Sequence, residues 1–183
     1  PDTFEVRRGQ DRQGIVDNMV AAQEAILAAA WENRQDGLPL ASAEEALILA
    51  SIIEKETSVA DERRLVSSVF INRLNRGMRL QTDPTVIYGI TEGRGVLGRG
   101  IRASELRAET PWNTYVIDGL PPTPIANPGR AAIEAAVNPD DTSLIFFVAD
   151  GTGGHAFAET LDEHNRNVAR WRQIEAERAA SGQ

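Results

Sequence analysis

The sequence predicts an α+β fold, because its two kinds of pattern are segregated rather than alternating. Helical periodicity dominates up to Gly77, and short β-prone runs separated by Gly and Pro take over after it. The expected architecture is a helical N-terminal half carrying Glu56, packed on a small sheet from the C-terminal half, with a C-terminal helix. At 183 residues the whole chain, 1–183, is read as one domain able to bury a real core.

Residues 11–35 read as the first helix, with Ile15, Met19, Ala22, Ile26 and Ala30 on one face and Gly37 placed to end it. Ser42, followed three residues later by Glu45, is a capping-box signature that starts the second helix. Ser58 with Asp61 repeats it more weakly, and Leu65, Val66, Val69, Phe70 and Leu74 supply a third helix closed by Gly77. Strands are expected at 85–88, 114–117 and 144–149. Residues 93–100 lack dinucleotide-binding or Walker spacing and read as a surface loop. Residues 119–124, with three prolines, form a stiff extended segment; 129–137 is a short helix and 161–178 a longer one. The tail 176–183 is expected to fray.

A net charge of −8 argues against nucleic acid as the main partner, since binding its phosphates needs clustered cations. No cysteine is present, so neither a disulfide nor a thiolate metal site exists. No apolar run reaches the ~20 residues of a membrane span. Pro1-Asp2-Thr3 is neither a signal peptide nor a natural start, so targeting or anchoring is expected upstream.

The chemistry concentrates where the second helix ends. At roughly 100° per residue, Glu56 falls roughly 20° from Leu49 and 40° from Ile52, whereas Glu54 lies roughly 140° from Leu49. Glu56 is the carboxyl aimed inward, while Glu54 and Lys55 read as surface groups. Burial disfavours the ionised form, so Glu56 is either a general acid with a raised pKa or a buried carboxylate paired with an Arg. Its place at a helix-to-helix junction suits a side chain that is held still yet faces a cleft.

Several motifs occur in order: Ile52-Ile53-Glu54-Lys55-Glu56-Thr57, Phe70-Ile71-Asn72-Arg73-Leu74, Leu80-Gln81-Thr82-Asp83-Pro84-Thr85, Asn113-Thr114-Tyr115, Gly119-Leu120-Pro121-Pro122, Asn127-Pro128-Gly129 and Gly154-His155-Ala156-Phe157. Together they resemble the YceG-like (MltG) endolytic murein transglycosylases, from Pro1 to about Arg172. The resemblance implies a lyase that cleaves the MurNAc-β-1,4-GlcNAc bond within nascent peptidoglycan strands, leaves 1,6-anhydro-MurNAc ends and so terminates strand elongation. It also implies a periplasmic domain on a single inner-membrane helix, with that anchor and a LysM-like subdomain absent from this sequence, and cell-wall synthases as possible partners.

The family's catalytic Glu is the one followed by a hydroxyl residue, which here is Glu56-Thr57. Ordinary glycosidases use two carboxyl groups. The implied elimination uses one, acting first as acid and then as base toward the sugar's own C6 hydroxyl. Thr57 either orients Glu56 or caps the next turn, and His155 is a further supporting candidate beside the cleft. Substrate-binding candidates are Gln81, Asp83, Tyr88, Asn113, Tyr115, Asn127 and Phe157. For the amide and phenol groups a turn or capping role competes, and Asp83 before Pro84 is read first as a capping residue.

His164 is expected at the surface or in packing, and Trp31 and Trp171 in the core. A metal site built from Asp150, His155 and His164 lacks recognised spacing, so neither metal nor cofactor is expected. The competing functions are a non-catalytic peptidoglycan-binding module and, third, a metal-dependent hydrolase.

Overall fold

The computed structural model describes residues 3–181. Its elements are α1 (Arg12–Glu32), α2 (Ala43–Glu56), a 3₁₀ turn (Ala60–Glu62), α3 (Arg63–Asn75), α4 (Asp83–Thr91), α5 (Ala103–Leu106), α6 (Arg130–Val137), β1 (Phe146–Ala149), β2 (His155–Ala158) and α7 (Leu161–Ser181). The α+β class, the small sheet and the C-terminal helix are as the sequence predicts, although α4 and α5 stand after Gly77 where strands and loops are expected. Among the described residues the only sheet is the antiparallel pair β1–β2, in register Phe147 with Phe157 and Ala149 with His155.

Helix α2 is the axis of the domain. Ser42 caps it, its Oγ accepting from the Glu45 backbone N–H, while Glu45 Oε2 accepts from Ala41. Leu49, Ile52 and Ile53 are fully buried on it and join Val66 and Phe70 of α3 and Ile133 and Val137 of α6 in a single core. α2 packs on α1, α3, α4 and α6. Ser51, at its centre, donates to the Ile48 carbonyl and accepts from the Ile125 backbone N–H at 2.9 Å, which seats the proline-rich segment against the helix. Phe147 carries the hairpin onto the core by an edge contact with Phe70, and α7 lies across the hairpin.

Four expectations are corrected. Residues 85–88 are helical within α4, because Thr82 takes the extended cap conformation, Pro84 suits the first turn, and Thr85 Oγ1 donates back to the Thr82 carbonyl. β-branched composition there yields to tertiary packing of Thr85 and Val86. Residues 114–117 form turns, since the Asn113 carbonyl accepts from both Val116 and Ile117. Ser58 caps nothing: it is exposed, Thr57 Oγ1 accepts from Val59 instead, and α3 starts only after the 3₁₀ turn. Finally, α7 runs without a break to Ser181, so 176–181 are helical; 182–183, like Pro1 and Asp2 of the resemblance, lie outside the described residues. No helix among the described residues is long and apolar enough to cross a membrane.

Candidate active site

Glu56 is the last residue of α2, and Thr57 leaves the helix in extended conformation. That break lets the Glu56 side chain reach sideways to the start of α4, where Thr82 Oγ1 donates to Glu56 Oε1. Burial is the main influence on the carboxyl and pushes its pKa up to about 7. The Thr82 hydroxyl and the charge of His155 pull the other way, and the negative charge of Asp83 reinforces the rise. Among the described residues no Arg pairs with Glu56, so of the two readings open from the sequence the structure favours the protonated acid over the ion pair.

Thr82 is itself held from two sides. Its backbone N–H donates to Thr114 Oγ1 at 3.0 Å, and the preceding Gln81 adopts a left-handed φ of 52° while donating its N–H to the Thr114 carbonyl. A non-glycine residue in that region persists only where its surroundings hold it. The holder is Arg73 of α3, 7% exposed, whose guanidinium donates to the carbonyls of Arg79, Leu80 and Ile145 and to Gln81 Oε1. No carboxylate pairs with it among the described residues. Asp83 accepts from the Tyr115 hydroxyl at 2.7 Å, and burial, with help from this bond and from the charges of Asp83 and Glu56, pushes the Tyr115 phenol up.

A second group closes the other side. Glu62 accepts three hydrogen bonds: from the His155 backbone N–H at 2.7 Å, from Thr57 Oγ1 at 3.0 Å and, at its other contact with His155, from ring Nδ1 at 2.7 Å. Burial alone raises the Glu62 carboxyl, but these bonds together outweigh it and hold the group below the usual carboxylate range. The approach is tight enough to need glycine: a Cβ on Gly154 would lie 2.5 Å from Glu62 Oε1.

Glu56, Thr57, Ser58, His155, Trp171 and Arg178 line one cavity of about 240 Å³, together with the glycine-rich turn between β1 and β2. A larger groove of about 660 Å³ runs between α1, α3 and α6, but neither Glu56 nor His155 reaches it. Among the described residues no three His, Asp or Glu side chains stand close enough to hold a metal ion.

The structure therefore brings together Glu56, Thr57 and His155, with Asp83 and Tyr115 close enough for their charges to act on or feel Glu56. Gln81 adjoins them as an exposed side chain bonded to Arg73. Four candidates are used elsewhere. Asn113 is buried, with its amide donating to the carbonyls of Glu105, Leu106 and Ala108. Tyr88 packs edge-on against Trp112 beside the core. Phe157 backs the His155 ring from the hairpin, and Asn127 is exposed in the irregular segment before α6. Thr57 bonds Glu62 rather than Glu56.

Thr82, Glu62 and Arg73 carry roles that spacing does not signal: the cap position of α4 is Thr82, whereas Asp83, expected to cap, is the first helical residue and accepts from Tyr115. Trp171 is not a core residue: it lines the cavity, with the Arg178 guanidinium 5.9 Å from its ring centre. His164 stacks on Phe146, in the packing role expected for it.

Glu54 is not a free surface group either. Its Oε2 accepts from the Gly129 backbone N–H at 3.0 Å and so docks the start of α6 on α2. Glu54→Gln should cost about 1 kcal/mol of stability, read by thermal melts beside the unmodified protein.

The YceG-like family profile matches residues 1–170. An endolytic murein transglycosylase of Bacillus subtilis is 41% identical over 125 residues, covering 68% of this chain and 34% of that protein. One from Streptococcus pneumoniae is 32% identical over 176 residues, covering 92% of this chain and 31% of its own length. A crystal structure of a yceG-like protein from Listeria monocytogenes superposes with a TM-score of 0.74 at 36% identity, covering 90% of this chain and 52% of that one. The chain thus spans about a third of the length of these curated relatives.

Proposed function

Because the chain belongs to the YceG-like family, we propose that it is the catalytic portion of an endolytic murein transglycosylase, a lyase acting on peptidoglycan strands. The observation that carries this reading is a single carboxyl, Glu56, pushed up to about 7 and oriented by Thr82 at the edge of a cavity. Glycosidases that add water rely on a second carboxyl placed to activate it or to attack. Here the neighbouring acids are committed: Asp83 to Tyr115, and Glu62 to His155 and Thr57.

In the proposed reaction the strand lies with a MurNAc-β-1,4-GlcNAc bond at Glu56. Thr82 occupies Oε1, which leaves Oε2 to carry the proton and pass it to the bridging oxygen. Positive charge develops at the MurNAc anomeric carbon, and the C6 hydroxyl of the same sugar closes onto it, giving a 1,6-anhydro end. Trp171 offers an aromatic face to a sugar ring in the same cavity. The setting is periplasmic, on a protein held by an inner-membrane helix, where its substrate is made and where cell-wall synthases would be its neighbours.

Reducing-end analysis after incubation with glycan strands tests the reading. Anhydro ends are expected; free reducing ends would mean a hydrolase, and no cleavage a binding module. Since the acid must be protonated, activity should fall as pH rises through about 7, by roughly tenfold per unit beyond it.

A further inference from the structure

The proton on the C6 hydroxyl has to leave as the ring closes, and a second group in the cavity is built to receive it. His155 lines the cavity with Glu56, and its side chain is only 15% exposed. Glu62, 93 positions earlier and 13% exposed, grips it twice, through the backbone N–H and through ring Nδ1, each at 2.7 Å. An ionised carboxylate can only accept hydrogen bonds, so the proton of the neutral imidazole sits on Nδ1 and Nε2 keeps its lone pair. Thr57 Oγ1 spends its own proton on Glu62 and so steadies the carboxylate from the side of α2. A carboxylate that fixes the tautomer and orientation of an imidazole is the arrangement by which histidine is made a base.

Resting on the functional reading above, we propose that His155 is the base of the reaction and that Glu62 is its positioning residue, so that proton donor and proton acceptor are separate side chains. Glu56 gives its proton to the glycosidic oxygen as the bond from that oxygen to the anomeric carbon breaks. The bond from O6 to the same carbon forms, and the O6 proton passes to Nε2. The imidazolium then returns a proton to Glu56, directly or through solvent, so neither water nor an outside reagent is consumed. The charged groups facing the ring are Glu56 from α2, Glu62 from the 3₁₀ turn, Asp150 from the hairpin and Arg178 from α7.

The pH profile of kcat for the unmodified protein separates this from a single-carboxyl mechanism. One carboxyl serving as acid and then base needs only to start protonated, so its profile stays flat on the acid side; a separate base adds an acid-side fall as the imidazole becomes protonated. A bell is expected. His155→Gln should lower kcat by about 10²-fold or more with little change in KM, and abolish the acid limb. Imidazole nitrogen NMR should report Nδ1–H in the parent protein. Glu62→Gln, whose amide offers Nδ1 a donor, should move the proton to Nε2 and lower kcat by about 10–100-fold.

A flat acid side in the parent protein, or a His155→Gln variant that keeps its kcat, overturns the proposal while leaving the transglycosylase reading intact. Absence of anhydro ends from the parent protein overturns both. The NMR tautomer is read without turnover, and an Nε2–H form in the parent protein would remove the base whatever the products are.

Discussion

Glu56→Gln should abolish strand cleavage, lowering kcat by about 10³-fold or more, and at the same time make the domain more stable in alkaline buffer. The amide keeps the shape and can still accept the Thr82 hydrogen bond, but it has no proton to deliver. The stability gain follows from the same burial that makes the acid. A carboxyl raised to about 7 in the folded state, against ~4.3 when exposed, costs nothing below pH 4, where both states are protonated. Between the two values the unfolded chain ionises first, so stability is lost as pH rises, until above about 7 the full penalty is present. That penalty is on the order of 4 kcal/mol. Melts of the parent and the Glu56→Gln variant should coincide near pH 4 and separate by pH 8, with the variant higher. A variant that keeps its activity, or melts that stay together across the range, would show that Glu56 is not a buried acid.

Arg73→Met should be the most damaging change away from the cavity. The thioether fills much of the volume but leaves the buried carbonyls of Leu80 and Ile145 without their donors. Orphaned carbonyls cost about 1–3 kcal/mol each, so a loss near 3 kcal/mol and a melting point lower by about 6–12 °C are expected. The consequence for activity is specific. Arg73 holds residues 79–81, Gln81 in its left-handed conformation hands the chain to Thr82, and Thr82 orients Glu56. Measured well below its melting point, the variant should lose kcat by at least about tenfold. If kcat is unchanged at that temperature, the loop does not depend on the guanidinium for its shape.

The sequence by itself determined the main helices, because their information is local. Ser42 with Glu45 starts α2 and the stripe of Leu49, Ile52 and Ile53 buries it, both as read from spacing. The same arithmetic turned Glu56 toward the interior, since a carboxyl in phase with an apolar stripe must follow it inward. Of the expected strands only the one at 144–149 is present, as β1, while the ordered motifs pointed to the family that the comparisons bear out.

What it left undecided was every relation between distant segments. Residues 85–88 have strand-like composition, yet Thr82, Pro84 and the packing of Val86 make them helical, a choice in which propensity differences of tenths of a kcal/mol lose to burial. Asn113 and Tyr115 are two residues apart and looked alike; one is consumed by three backbone carbonyls and the other reaches Asp83 near Glu56. Glu62 and His155 are 93 positions apart, with no periodicity to link them. Only the packing of the hairpin on the α2–α3 junction brings that carboxylate to that imidazole, because a hydrogen bond depends on distances of a few ångströms that spacing along the chain does not encode.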